Sequence, residues 1–235
     1  MASGAWQLSV VPLCVSPGYW SGPRPMANLA ILHRDGRSWM STTPFEFESQ
    51  EIGVRLARGH VLIFGLGMGW AAAASACMPA VSEVTVVEKD PDVRALHDRL
   101  DLFAQLPAEA RAKLAVVAGD AHEYRPDRPV DLLMPDIWLP LVNDGRLDEV
   151  RHMQANVDAR AIYFWGQEME IARHLAAAGR APDKAGVAAT IARFGLPLLG
   201  PGYADYAGKV AAAARRWMKD RWLNGGAPSW AQDGA

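Results

Sequence analysis

The sequence predicts an α/β protein: a mostly parallel, doubly wound sheet with an N-terminal β-hairpin appendage and a helical C-terminal tail. Three observations lead there. A continuous apolar run, His60–Phe64, is followed at once by a glycine-rich turn, Gly65-Leu66-Gly67-Met68-Gly69. Five strand-like segments then alternate with helix-like ones, which implies parallel strands joined by helical crossovers. The fifty residues before this have the composition and turn residues of antiparallel β-structure.

Each element has a local reason. Trp6–Val15 and Asn28–His33 have strand composition. Asp35-Gly36, between Leu29–Arg34 and Arg37–Thr42, predicts a hairpin turn, since both positions tolerate φ > 0. A short helix is expected over Pro44–Arg58. His60–Phe64 reads as a strand buried on both faces, Gly69–Met78 as a helix and Glu83–Val87 as the next strand. Asp90 suits the cap, and Pro91 the first position, of a helix over Asp92–Leu102. Ala110–Leu114 is a weak helix, followed by strands Leu114–Val117 and Val130–Met134. A helix over Arg146–Gln154 leads to a fifth strand, Ala161–Trp165, and to a helix over Glu168–Ala178. After Gly179 strand signals nearly vanish. Gly186–Ala192 and Tyr203–Leu223 read as helices, and the Gly/Pro-containing residues from Asn224 as disordered. The chain thus divides into a hairpin appendage (1–50), a ligand-binding core (51–178) and a helical tail (179–235).

Composition removes several function classes. The 235 residues can bury a core without disulfides or a metal. With 50% hydrophobic and 21% charged residues, intrinsic disorder is excluded for most of the chain. A formal charge of −2 gives no global signal for nucleic acid or a membrane, and neither is expected as a partner. The two cysteines, Cys14 and Cys77, have no metal-like or redox spacing. No metal is expected, and a reduced, cytoplasmic setting is the simplest reading. The first 23 residues lack a basic leader segment, and Pro12 and Pro17 interrupt them, so a signal peptide is not expected. Val61–Val81 is a 21-residue run without charge, but its three glycines and Pro79 suit a strand, a turn and a small-residue helix rather than a membrane span.

In an open parallel sheet the ligand lies at the carboxyl ends of the strands. Gly65, Gly67 and Gly69 end the first core strand and let the backbone approach a ligand closely. A nicotinamide fingerprint would place glycine at position 70, where this chain has Trp70. Glu88 ends the second strand, 19 residues past Gly69, where a carboxylate accepts from both ribose hydroxyls; Lys89 follows it. Asp120 and Ala121 follow the third strand and suit an adenine amino group and ring nitrogen, a turn cap being the plain alternative for Asp120. Asp136 follows the fourth strand, where it could orient a sulfonium donor or deprotonate an acceptor; an Asx turn before Pro140 is its plain alternative.

Four segments then carry a resemblance over residues 27–170. HVLIFGLGMGW (60–70), VTVVEKDP (84–91), GDAHEY (119–124) and DLLMPDIWLP (131–140) resemble the donor-binding motifs of the spermidine synthase family, a branch of the class I S-adenosylmethionine-dependent methyltransferase superfamily with a Rossmann-like core. The hairpin around Asp35-Gly36 also resembles that family's N-terminal hairpin, and Ile63 matches its lack of an acid two residues before the first glycine. The resemblance implies S-adenosylmethionine as the ligand, with Glu88 on ribose, Asp120 and Ala121 on adenine, and Asp136 at the position of the family's catalytic aspartate. Gly166-Gln167-Glu168 is similar to the Gln-and-Glu segment after the family's fifth strand.

The departures fall on the acceptor side. Met68 and Leu139 stand where the family has aspartates, Trp39 where it has a glutamine, and Pro44 and Phe45 where it has an acid pair. A polyamine would find its ammonium groups unpartnered, at about 1–3 kcal/mol for each buried group. The expectation is therefore a methyltransferase acting on a small, uncharged or aromatic acceptor held by Trp39, Phe45, Trp138, Trp165, Gln167 and Glu168. Asp136 is the expected base, with His122, Tyr124 and Glu168 behind it. The alternatives are an aminopropyltransferase with an altered acceptor site and a non-catalytic adenosyl-ligand binder. A homodimer is a further expectation. The basic, Trp-containing segment Tyr203–Leu223 is read as a solvated helix packed on the domain. Gly202–Lys209 misses a phosphate loop in spacing, in its preceding strand and at Val210.

Overall fold

The computed structural model describes residues 1–223 and 225–232. The first four strands form one antiparallel sheet: β1 (Ala2–Ser3), β2 (Trp6–Ser16), β3 (Arg24–Arg34) and β4 (Arg37–Ser41), in that spatial order. The expected Asp35-Gly36 turn joins β3 to β4, with both residues at positive φ. A helix, α1 (Pro44–Leu56), follows, its first turn closed by the Thr43 hydroxyl accepting the Glu46 N–H.

The second sheet is parallel throughout. It holds β5 (Gly59–Phe64), β6 (Val81–Glu88), β7 (Leu114–Ala118) and β8 (Leu132–Pro135), ordered β7-β6-β5-β8. Its connections carry α2 (Trp70–Ala76), α3 (Pro91–Leu100), the short α4 (Ala108–Arg111) and, after β8, α5 (Arg146–Val157). Asp90 caps α3 as expected, its carboxylate accepting the Asp92 N–H. β5 is buried at every residue from His60 to Phe64, which explains its unbroken apolar run. The order reverses at β5, with β6 and β7 on one side and β8 on the other. The crevice at this switch point is where such sheets bind ligands.

The fifth strand needs a correction. Residues 160–165 run parallel to β8, with Leu133 N–H on Ala161 O, Tyr163 N–H on Leu133 O and Trp165 N–H on Pro135 O, yet only Ile162 forms a formal bridge. Pro135 has no N–H, so the ladder loses a rung where a regular strand would bond again. Beyond it lies a sixth segment that the sequence reading missed. Ile162 N–H meets Pro197 O and Leu199 N–H meets Ile162 O, again as a single parallel bridge beside a proline.

The tail is helical: α6 (Gln167–Ala177), α7 (Lys184–Phe194), α8 (Tyr206–Trp217) and α9 (Ser229–Gln232). α8 is shorter than the expected Tyr203–Leu223. Its basic residues are tied down, with Lys209 over the Trp20 ring at 3.8 Å, Arg215 donating to Trp230 O and Arg216 to Gly18 O, and Trp217 Nε1 donates to Tyr19 O. The expectation of disorder from Asn224 onward is corrected over residues 225–232. There α9 forms and Trp230 packs edge-on against Trp222. Positions 224 and 233–235 lie outside the described residues. Among the described residues, no helix is long and apolar enough to cross a membrane.

Candidate functional site

The loop between β5 and α2 is built on backbone that only glycine adopts freely. Gly65 has φ +95°, and a Cβ there would collide with the carbonyl oxygen of Asp136 on the neighbouring strand end. Gly67 has φ +51°, and Met40 Sδ sits where its Cβ would project. The same sulfur accepts the Met68 N–H at 3.1 Å, so β4 rests directly on the loop. Gly69 caps α2 but faces His97 and Phe103, away from the crevice.

These approaches enclose a cavity of about 670 Å³ at the switch point. Small-molecule sites typically span about 300–1,000 Å³. Gly65, Gly67, Glu88, Lys89, Asp120, Ala121 and Asp136 line it, as do Trp39 and Trp138. Glu88 accepts the Leu66 N–H on Oε2 (2.9 Å) and the Asp90 N–H on Oε1 (2.7 Å). Each oxygen keeps a further lone pair for a diol. Asp120 accepts Lys89 Nζ on Oδ2 (2.9 Å) and the His122 N–H on Oδ1 (3.0 Å). These two bonds, that from Lys89 foremost, hold its carboxyl below the usual range. Asp120 thus makes the turn bond that was its plain alternative and still faces the cavity.

Asp136 sits at the other end. Its N–H bonds Phe64 O, which locks it to the end of β5, and Gln50 Nε2 donates to its Oδ2 at 2.8 Å. Burial raises its pKa to about 7, against the opposing pull of Arg146 and the Gln50 bond. Glu46, buried on the same helix one turn before Gln50, also lines the cavity. Burial and the nearby Asp136 charge push Glu46 well above the ordinary carboxylate range. Two carboxyls, an amide and a cation therefore meet at this end. Arg146 stacks over Trp138, its Cζ 3.9 Å from the ring centre, and donates to Asn143 Oδ1, Trp165 O and Pro140 O. Trp138 is also fixed by its own Nε1–H on Glu149 Oε2.

The sequence reading missed Glu46, Gln50 and Arg146. The first two were legible as an i, i+4 polar pair on a helix whose buried side also carries Glu48 and Ser49. Arg146 carried no local signal.

Four of the expected acceptor residues are elsewhere, which corrects that part of the reading. Phe45 packs edge-on against Tyr19, Trp165 and Trp217. Trp165 is buried, its Nε1–H on Ser49 Oγ. Gln167 donates to Leu199 O and Tyr206 Oη. Glu168 is fully buried and accepts three tyrosine hydroxyls: Tyr19 on Oε2, and Tyr163 and Tyr206 on Oε1. Burial raises its pKa to about 7. None of these four lines the cavity. Of the weaker base candidates His122 lines it, whereas Tyr124 packs against Phe64.

No protein-family model matches this chain, and comparison with curated proteins finds no match. Among solved structures, the glycopeptide N-methyltransferase MtfA complexed with S-adenosyl-L-homocysteine aligns at TM-score 0.36 and 23% identity, over 46% of this chain and 41% of that one. The DhpI-SAM-HEP complex aligns at 0.35 and 20%, over 47% and 48%. The methyltransferase domain of bacterial CtHen1 aligns at 0.35 and 19%, over 46% and 59%. The aligned part spans less than two thirds of each of these proteins, and at such scores the likeness carries no activity over to this chain.

Proposed function

We propose that this protein is an S-adenosylmethionine-dependent methyltransferase acting on a small acceptor. The observation that carries the reading is convergence. Four strand ends bring the glycine loop, Glu88, Asp120 with Ala121, and Asp136 onto one cavity at the switch point of the sheet. The residues fit an adenosyl ligand. Glu88 has free lone pairs for ribose hydroxyls, and Asp120 and Ala121 flank the position of an adenine edge. A bound sulfonium donor supplies an electrophilic methyl carbon.

The chain's own work is placement and proton removal. Trp39 and Trp138 offer flat apolar walls for the acceptor. Asp136, poised at about 7, takes a proton from an acceptor N–H or O–H near neutral pH. Burial and the Asp136 charge push Glu46 above the ordinary carboxylate range, which lowers the charge the pair carries and suits an uncharged acceptor. A second reading, aminopropyl transfer in the manner of the spermidine synthase branch, draws on the same Glu46–Asp136 pair, which would also hold an amine.

Calorimetric titration with S-adenosylmethionine, its decarboxylated form, S-adenosylhomocysteine, methylthioadenosine and NAD separates these readings. Binding of S-adenosylmethionine and S-adenosylhomocysteine is expected, and Glu88→Ala should weaken both at least tenfold, about 1.4 kcal/mol. Asp136→Asn should leave donor affinity within threefold. Preference for the decarboxylated form would favour aminopropyl transfer, and absence of binding by every adenosyl-sulfur compound would overturn the site.

A further inference from the structure

A second cavity, of about 310 Å³, lies between the N-terminus of α5, helices α6 and α7, and Leu223. Its lining holds four guanidiniums, those of Arg146, Arg151, Arg173 and Arg193, against two carboxylates, Asp148 and Glu170. It shares only Arg146 with the elements of the first site, and there Arg146 acts from behind Trp138.

The donors here exceed the acceptors. Arg151 spends its bonds on Phe194 O and Asp148, and Arg173 gives one Nη bond to Asp144. Arg193 is exposed and, among the described residues, makes no hydrogen bond or ion pair. A guanidinium carries five N–H donors, so many remain free across the four. The first turn of α5 adds its own, because Gly145 at φ +84° supplies no side-chain cap.

Behind this surface the Arg173–Glu170 pair is imperfectly made. Arg173, 6% exposed, leaves Nε without a hydrogen bond, although Glu170 Oε2 lies 3.3 Å away in a misaligned ion pair. Glu170, 1% exposed, leaves Oε1 without a partner. Burial lifts Glu170 to about 7, and its protonated form is a donor through Oε1. In that form Glu170 adds no negative charge to the wall that the arginines line. His174, on the same wall, is pushed down by burial first and then by Arg173, Arg193 and Arg151.

We propose that this cavity binds a compact oxyanion, the phosphate group of a small molecule, held by Arg173, Arg193 and Arg151 at the N-terminus of α5. Such a site is separate from the adenosyl cavity and does not depend on what that cavity binds.

The test is calorimetric titration of the full-length protein with inorganic phosphate at fixed ionic strength, because screening alone alters surface electrostatics. Saturable one-site binding is expected. Arg193→Glu should weaken it at least tenfold and Arg193→Gln by a smaller factor, both at an exposed position that leaves folding intact. Arg58→Gln, on the distant α1–β5 connection, should leave it unchanged. Saturating S-adenosylhomocysteine should also leave it unchanged. Non-saturable heats, equal binding by wild type and Arg193→Glu, or displacement by S-adenosylhomocysteine would each overturn the assignment, the last by moving the anion into the first cavity.

Discussion

Replacing Glu168 by Gln tests the electrostatics of the buried core. Glu168 sits at zero exposure among the hydroxyls of Tyr19, Tyr163 and Tyr206, and burial lifts its pKa from 4.5 to about 7. In the unfolded chain it loses its proton near 4.5; in the folded protein it holds the proton until about 7. The native state is therefore favoured below 4.5, and that advantage is lost as pH rises through 7. Each tenfold change in proton affinity is worth about 1.4 kcal/mol, so the carboxyl costs the native state about 3 kcal/mol at pH 8 relative to pH 4.5. A glutamine carries no titrating proton. It has one acceptor oxygen fewer than the ionised carboxylate, a loss of about 1 kcal/mol, but no fewer than the protonated carboxyl, and its own contribution to stability does not change with pH. Urea unfolding of wild type and Glu168→Gln at pH 4.5 and pH 8 gives the effect as a difference of differences. The variant should gain about 3 kcal/mol on the wild type between the two pH values. An equal ΔΔG at both would show that Glu168 is not the high-pKa acid described here.

Other outcomes follow from the cavity. With a suitable acceptor, the rate should rise with pH through about 7 and then level, because Asp136 acts ionised; a flat profile from pH 5.5 to 8.5 would remove it as the base. Arg146→Gln removes the cation that most stabilises ionised Asp136, so that limb should move above pH 7. Gly67→Ala forces φ +51° on a residue with a Cβ and displaces Met40 Sδ, and should cost about 1–3 kcal/mol in urea unfolding. Gly145→Ala shares the positive φ but meets nothing within 4 Å, so the excess at Gly67 measures the Met40 contact.

The parallel core was legible because its signals are local. A strand buried on both faces must be continuously apolar, and β5 is; a carboxylate at a strand end must point at the crevice, and Glu88 does. Strand extent past residue 160 was not legible, since Pro135 and Pro197 each delete a donor that the apolar pattern does not reveal. The acceptor side failed for a different reason. Phe45 and Glu46 are neighbours on α1, separated by about a quarter-turn. Which of them faces the cavity depends on how the helix is rotated by its packing, and the structure turns Glu46 and Gln50 inward. Gln167 and Glu168 follow a strand-like segment, but Gly166, packed against Leu141 O at φ +82°, turns the chain into α6 before either reaches the cavity.

The contact between Met40 and the glycine loop makes the hairpin sheet a thermodynamic partner of whatever the cavity holds. Leu32, Arg34, Trp39 and Met40 form one wall, and the parallel sheet forms the other. A molecule bound between them favours the docked arrangement by RT ln(1 + [L]/Kd), about 2.7 kcal/mol at a hundredfold excess over Kd. Occupancy then opposes undocking of the hairpin, and slow exchange of the Met68 amide, which bonds Met40 Sδ across the contact, becomes its gauge.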